Sequence, residues 1–181
     1  MLALLGWNPG TEQEIFGMQE LVESFSPDRV GKSGARFSPD KALWFNAQYM
    51  HERDNEELGS AFSPILKEHG IDADLTTAVK VVSLIKNRAT FVKDFWELSS
   101  FLFVAPEQYD QKVVDKYWKG ENPGYVKQVR DILSGVDMFS AESAKEKVHN
   151  WMVENDLPMG QVMNSLRLAV VGASKGPDMF E

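Results

Sequence analysis

The chain has 181 residues, of which 43% are hydrophobic and 25% are charged, so it has enough apolar material for one domain or two small ones. It has no cysteine, which excludes a disulfide framework and a thiolate metal site. Its net charge of -8 argues against a dedicated nucleic-acid-binding protein, which usually carries a basic surplus, although a local basic patch can still attract a polyanion.

The opening part of the chain contains the first predicted elements. The segment Met1–Trp7 is apolar but too short for a signal peptide or a membrane-spanning helix, and we expect it to be the end of a core helix that begins upstream. Thr11 and Glu14 predict a capping box, in which a hydroxyl and a carboxylate satisfy each other's backbone donors. A helix is predicted to follow, with apolar residues at Ile15, Met18, Val22 and Phe25.

The next segment, Lys32–Tyr49, has the most unusual composition of the chain and reads KSGARFSPDKALWFNAQY. It places basic residues and glycine in a loop, and Ser38 followed by Pro39 then predicts a helix start. The predicted helix carries large aromatic residues beside an asparagine. A helix that serves only the core does not need this mixture, which suits a surface in contact with a charged polymer whose bases can stack.

The rest of the chain contains further apolar faces at helical spacing, separated by glycine, proline and serine. No stretch shows the two-residue alternation of a half-buried strand, so we expect an all-α fold. The first two predicted helices here are Leu58 to Leu66, with a kink or restart at Pro64, and Leu75 to Ile85. A third is capped by Thr90, with Phe91, Phe95, Leu98 and Leu102 facing inward, and a fourth is Tyr109 to Trp118. The last three are a helix that begins at Asn122-Pro123, a helix capped by Ser140, and a helix that begins at Pro158 and ends at Gly172.

No catalytic site can be assembled from the sequence. It contains no phosphate-cradling loop, no dinucleotide fingerprint and no His-Glu-x-x-His motif. The three histidines, at positions 51, 69 and 149, are scattered singly and are interpreted as surface residues. We therefore predict no catalytic residue, no metal site and no cofactor for this chain.

A few basic residues are candidates for binding instead of catalysis. Lys86 and Arg88 lie at a predicted helix end, where a cation either favours the helix dipole or faces a base or phosphate. Arg167 lies in an apolar helix, where its side chain either extends out of the core or binds a phosphate. The loop at residues 175–179 exposes backbone groups and one apolar side chain, which single-stranded RNA bases commonly contact.

Four segments together resemble glutamyl-tRNA synthetases, a class I aminoacyl-tRNA synthetase family. They read LALLGWNPG, KSGARFSPDKALWFNAQY, LIKNRATFVKDF and LRLAVVGASKGPDMFE, they occur in the family's order, and they cover nearly the whole chain. The family's catalytic motifs, of the His-Ile-Gly-His and Lys-Met-Ser-Lys types, do not occur here. The resemblance is therefore to the C-terminal part only.

The resemblance implies a fold and a set of binding residues. The fold is the all-α helical bundle, or α-helical cage, of the anticodon-binding region. Residues 1–57 would be the end of the stem-contact helical region, and residues 58–181 the anticodon-binding region, truncated before its final helix. The tRNA- and anticodon-binding residues would be Arg88, Lys86, Arg167, Gly176, Pro177 and Met179, with weaker stem contacts at Lys32, Arg36 and Asn46.

One of these positions departs from the family's pattern. Members often have a hydroxyl residue where this chain has Gly176, so only backbone could make the contact here.

The resemblance also implies a function. The chain would recognise the glutamate tRNA within a glutamate–tRNA ligase, whose missing N-terminal catalytic domain would use ATP and Mg²⁺. This part alone is expected to be inactive, to need no cofactor, and to be cytoplasmic, monomeric and without membrane contact. The alternative is an all-helical protein-interaction module with no RNA role, which the acidic balance favours.

Overall fold

The computed structural model describes residues 1–32, 34–135 and 140–180, and these residues fold into α-helices joined by short 3-10 turns. This confirms the predicted all-α class. Within the described residues, the β-type pairing is an isolated bridge between Trp7 and Val30. The helices are α1 (Met18–Ser24), α2 (Pro39–Glu52), α3 (Asn55–Glu68), α4 (Leu75–Ile85), α5 (Asp94–Ser99), α6 (Gln111–Tyr117), α7 (Asn122–Ser134), α8 (Ala141–Glu154) and α9 (Met159–Val171).

The chain divides into two compact units, Met1–Phe95 and Trp96–Glu181. The boundary predicted between residues 57 and 58 lies inside α3 (Asn55–Glu68), and it stays a prediction. No helix in the described ranges is long and apolar enough to cross a membrane.

Side-chain caps explain where several helices begin. The hydroxyl of Ser38 accepts a hydrogen bond from the backbone N–H of Lys41, and Pro39 occupies the first turn of α2, as predicted. Ser140 caps α8 in the same way, through the N–H of Ser143 at 3.1 Å. Gly172 follows α9 with a φ of 78°, the left-handed conformation that ends helices.

The start of the first helix differs from the prediction. Thr11 and Glu14 form no capping box, because α1 begins only at Met18. The carboxylate of Glu20 accepts the N–H of Gly17 at 2.7 Å and opens the helix there, while Glu14 pairs with Lys41. The opening residues are also not the end of an α-helix, since Leu2–Leu5 forms a 3-10 turn.

The prediction of a helix capped by Thr90 is also wrong. The carboxylate of Asp94 accepts the N–H groups of both Thr90 and Phe91, so α5 begins at Asp94. Phe95 is buried as predicted, but Phe91 is 39% exposed and Leu102 is 43% exposed. The shift of the helix start leaves Phe91 in the connection before α5, with its ring at the surface.

The core of the first unit lies between α3 and α4. Gly59 lets the two helices approach closely, because a Cβ atom there would lie 2.7 Å from Cγ2 of Val79. Pro64 does not end α3, which continues to Glu68. Phe62 is fully buried and packs edge-on against Phe95, with ring centroids 5.6 Å apart. The buried residues of the two helices are Leu58, Phe62, Leu66, Ala78, Val81, Val82 and Ile85.

The core of the second unit is formed by α7, α8 and α9. Its buried residues are Val129, Val148, Met152, Val162 and Leu166. Two buried polar side chains are satisfied by one backbone carbonyl at the end of α6. The amide of Asn122 and the hydroxyl of Ser165 both donate to the carbonyl of Tyr117, at 2.9 Å and 3.1 Å.

The contact at Gly59 gives a test of the first core. We expect Gly59→Ala to lower the free energy of unfolding by about 1–3 kcal/mol, since the new methyl group overlaps Val79 and its backbone. Gly124→Ala in α7 is the matched control, because a Cβ atom there meets nothing within 4 Å. This control should be neutral or stabilising by up to about 1 kcal/mol. Urea unfolding followed by circular dichroism measures both, and equal effects at the two positions would contradict the close approach.

Candidate nucleic-acid interface

Residues 86–90, the Arg88 turn, follow α4 directly. Lys86–Arg88 forms a 3-10 turn, and the N–H of Ala89 closes it on the carbonyl of Lys86 at 3.2 Å. Ile85 before the turn and Ala89 inside it are almost completely buried, whereas Arg88 is exposed. Within the described part of the chain, the guanidinium of Arg88 makes no hydrogen bond or ion pair. The turn therefore presents an unpaired cation from a fixed backbone.

Helix α2 holds the Arg88 turn at both ends. The ammonium group of Lys86 donates to the carbonyl of Arg53, just after the end of α2, at 3.2 Å. The side-chain amide of Asn46, in the middle of α2, donates to the carbonyl of Thr90. Two polar contacts thus flank Arg88 and fix the turn against one helix.

The segment after the turn is bonded as well. Asp94 accepts the N–H of Thr90 at 3.0 Å and that of Phe91 at 2.8 Å. The exposed ring of Phe91 has the ammonium group of Lys93 at 5.3 Å from its centroid, within cation–π range. An aromatic face and a cation thus lie within a few residues of Arg88.

The loop before α2 carries the two other predicted stem contacts. Lys32 and Arg36 are exposed, and among the described residues neither makes a hydrogen bond or ion pair. The loop's first residue is held in place, because the N–H of Gly31 donates to the carbonyl of Gly6 at 2.7 Å. No hydrogen bond or ion pair in the described ranges joins Lys32 or Arg36 to the Arg88 turn, whereas Asn46 is bonded to it.

The aromatic residues of α2 divide between core and surface. Phe45 is 3% exposed and belongs to the core, while Trp44 is 42% exposed and contacts Phe45 edge-on at 5.0 Å between centroids. The hydroxyl of Tyr49 donates to the carbonyl of Phe16 at 3.1 Å. Much of the aromatic cluster that made the segment unusual therefore holds α2 in place.

The remaining predicted residues lie in the second unit, around the loop after α9. The guanidinium of Arg167 is half-buried and donates to the carbonyl of Pro177 at 2.7 Å. A Cβ atom at Gly176 would lie 2.9 Å from Nη1 of Arg167, so glycine allows the guanidinium to lie against the loop backbone. Neither sequence interpretation of Arg167 included this bond, which fastens the loop to α9.

Met179 is also engaged in structure. Together with Phe180 it packs against the buried cluster of α7, α8 and α9. The exposed side chains of the loop are those of Ser174, Lys175 and Asp178. The carboxylate of Asp178 accepts the N–H of Phe180 at 2.9 Å, so the groups that this loop offers to a ligand are the ammonium group of Lys175, the hydroxyl of Ser174 and backbone atoms.

Several other cations of the chain are neutralised by carboxylates. Lys41 pairs with Glu14, and Arg130 pairs with Asp131 at 2.7 Å. Arg53 pairs with Glu57 one turn later, and this hydrogen bond raises the pKa of Arg53 and lowers the pKa of Glu57. The unpaired cations at the candidate positions of the first unit are thus Lys32, Arg36 and Arg88, as far as the described residues show.

Sequence reasoning named Lys86 and Asn46 as RNA contacts but did not predict the bonds by which they hold the Arg88 turn, and it missed Asp94. Asp94 carries a local signal, since a carboxylate near a helix start commonly reaches back to a backbone N–H three residues earlier, here that of Phe91. Asn46 and Thr90 carry none, because they are 44 positions apart. The described residues also contain no group of three His, Cys, Asp or Glu side chains arranged to hold a metal ion.

Comparison with known proteins identifies the family. Residues 48–181 match the family model described as anticodon binding domain. Lys86, Arg88 and the loop after α9 lie inside this range, whereas Lys32, Arg36 and Asn46 precede it.

Relatives with similar sequences are glutamate–tRNA ligases. The chain is 43% identical to the glutamate–tRNA ligase of Bacteroides thetaiotaomicron and 45% identical to that of Phocaeicola vulgatus, over 99% of its own length and 36% of theirs. The chain thus spans about a third of the length of these curated relatives.

The fold is also similar to solved structures. A crystal structure of a glutamate tRNA ligase from Elizabethkingia meningosepticum, in complex with its amino acid, matches with a TM-score of 0.90 and 40% identity. The match covers 99% of this chain and 36% of that one. The chain therefore belongs to the anticodon-binding domain family, and it is similar over almost all of its length to part of glutamate–tRNA ligase.

Proposed function

We propose that this chain recognises the glutamate tRNA as part of a glutamate–tRNA ligase, and that Arg88 contacts the anticodon. The observation that carries the proposal is the exposed, unpaired Arg88 on a turn whose flanking polar groups are already bonded. The match to the anticodon-binding family and the similarity to glutamate–tRNA ligases support it.

The chemistry of arginine suits this role. Its planar guanidinium can donate two parallel hydrogen bonds to a base edge or stack on a base. Single-stranded RNA loops, such as an anticodon, offer unstacked bases for such contacts. A turn that is already ordered loses little further entropy when it binds, so more of the contact energy goes into affinity. The net charge of -8 does not oppose this, because the field at the turn depends on nearby groups.

The other predicted residues take different roles in the proposal. Lys32 and Arg36, which are exposed, bind phosphates of the tRNA stem. In the second unit, backbone atoms of Gly176 and Pro177 face the RNA, while Arg167 and Met179 hold the loop in place. Lys86 holds the Arg88 turn through Arg53 and contributes its charge.

We propose that ATP and Mg²⁺, which the resemblance implies for the whole ligase, are not bound by this chain. The described residues bring no three His, Cys, Asp or Glu side chains together, and the sequence has no phosphate-cradling loop. We place both with the two thirds of the ligases that this chain does not match, and we propose that the chain acts in the cytoplasm as a monomer without catalysing the reaction itself.

Binding of tRNA tests the proposed function directly. We expect the 181-residue chain to bind glutamate tRNA at low salt. The logarithm of the affinity should fall linearly with the logarithm of salt concentration, because each phosphate contact releases counterions. A fluorescence titration at several salt concentrations measures this. Absence of binding at the lowest salt would instead favour an all-helical protein-interaction module.

Arg88 is the residue whose removal is most informative. We expect Arg88→Ala to cost about 1–3 kcal/mol of binding and to reduce the preference for the glutamate anticodon, because a bidentate base contact is lost. Arg88→Lys should restore the charge but little of the preference. Arg130→Ala, which removes an equal charge that Asp131 already neutralises, is the control. An equal loss for tRNAs with altered anticodons would contradict base reading.

Arg167 should behave differently from Arg88. We expect Arg167→Met to increase amide hydrogen exchange in residues 172–180, because the loop loses its bond to the guanidinium. The dependence of tRNA affinity on salt should keep its slope. If Arg167 instead bound a phosphate, the slope would decrease by roughly 0.7–0.9 and the loop's exchange would not change.

A further inference from the structure

We propose that Asn46 is a positioning residue for Arg88, so that anticodon discrimination depends on a side chain of α2 that does not itself contact RNA. The proposal rests on the proposed function. It differs from the sequence prediction, which placed Asn46 among the stem contacts. The observation behind it is the hydrogen bond from the Asn46 amide to the carbonyl of Thr90, two residues after Arg88.

The position of the Asn46 amide is fixed by its neighbours. Phe45, the adjacent residue, is 3% exposed, and Met50, five residues after Phe45 in α2, is 5% exposed. These buried side chains hold α2 and determine where residue 46 projects. Asn46 is exposed, so burial does not force its amide to find a partner within the protein. The consequence of its bond to Thr90 is therefore that the Arg88 turn is held against α2.

A second contact makes the arrangement a clamp. Lys86 binds the carbonyl of Arg53 on one side of Arg88, and Asn46 binds the carbonyl of Thr90 on the other. Buried Ala89 lies between the two contacts. Together with the bond from the Thr90 N–H to Asp94, these two contacts hold the backbone on both sides of Arg88, and so they fix the point from which its side chain projects.

Asparagine is suited to this place because the bond needs a donor. Thr90 offers a carbonyl oxygen, which only accepts, and the amide nitrogen of Asn46 supplies the N–H. Aspartate has nearly the same shape, but its ionised carboxylate only accepts, so it would oppose the carbonyl. Asn46→Asp therefore breaks the contact with little change in volume.

A double-mutant cycle distinguishes positioning from direct contact. We expect Asn46→Ala to weaken the preference for the glutamate anticodon by about three- to tenfold, the size of one lost hydrogen bond. In the Arg88→Ala background the same substitution should have almost no further effect, because the group that it positions is absent. Amide exchange at Ala89 and Phe91 should rise in the single variant. Fluorescence titration with glutamate tRNA and an anticodon-altered tRNA measures the preference.

Asn46→Asp and Asn87→Asp form a matched pair for the same experiment. Both add one negative charge near Arg88, but Asn87 is exposed and has no hydrogen bond among the described residues. Asn87→Asp therefore reports the loss caused by charge, which should be similar for every tRNA. We expect Asn46→Asp to show this loss and, in addition, reduced discrimination.

The outcomes separate the inference from the proposed function. If Arg88→Ala leaves discrimination unchanged, the proposed function fails and the positioning role fails with it. If Arg88→Ala reduces discrimination while Asn46→Ala does not reduce it, or reduces it additively with Arg88→Ala, the positioning role alone is overturned. Additive losses that are equal for all tRNAs would identify Asn46 as a stem contact.

Discussion

The close packing of α3 against α4 is the constraint on which the candidate interface depends. Gly59 allows the backbones of α3 and α4 to approach each other. Phe62 on α3 and Ile85 on α4 are both completely buried. Since α4 leads directly into the Arg88 turn, the packed helix fixes where the turn begins. Ala89, which is 1% exposed, continues the buried surface into the turn itself. The backbone at Arg88 is thus held by the buried Ala89 and by the hydrogen bonds that involve Asn46 and Arg53.

The chain shows how an acidic protein can offer a basic contact. Carboxylates neutralise Lys41, Arg53 and Arg130, so these cations add little to the outer field. Exposed ion pairs of this kind contribute little to stability. Arg88, by contrast, has no carboxylate partner among the described residues, so its full charge is available to a polyanion. Local pairing is therefore more informative here than the net charge.

The sequence predicted the helical class and many helix starts and ends correctly because those signals are local. Ser38 with Pro39, Ser140 and Gly172 each act on backbone groups within a few residues. The error at Thr90 has a physical reason, since the carboxylate of Asp94 accepts the N–H groups of Thr90 and Phe91 and the helix begins at Asp94. Local propensity could not choose between these two starts.

The candidate site was harder to predict from the sequence, because the residues that contact one another in it are far apart along the chain. The four quoted segments indicated where Arg88 and Arg167 lie, but they could not show which cation is free. Arg167 is bonded to Pro177, and Asn46 is bonded to Thr90, so both side chains have structural partners. Such partners depend on how helices pack, and packing between distant positions leaves no periodic pattern in the sequence.

Helix α2 has a consequence for how the interface can vary among related proteins. It begins just after the loop that holds Lys32 and Arg36, and the two contacts of the Arg88 turn lie at Asn46 within it and at Arg53 just after its end. Its 14 residues span roughly 21 Å at 1.5 Å per residue. Inserting one residue before Asn46 would turn the amide by about 100° around the helix axis and away from Thr90. The length of α2 therefore sets the separation between these two contact regions, so exposed positions of α2 other than Asn46 can change identity far more freely than the helix can change length.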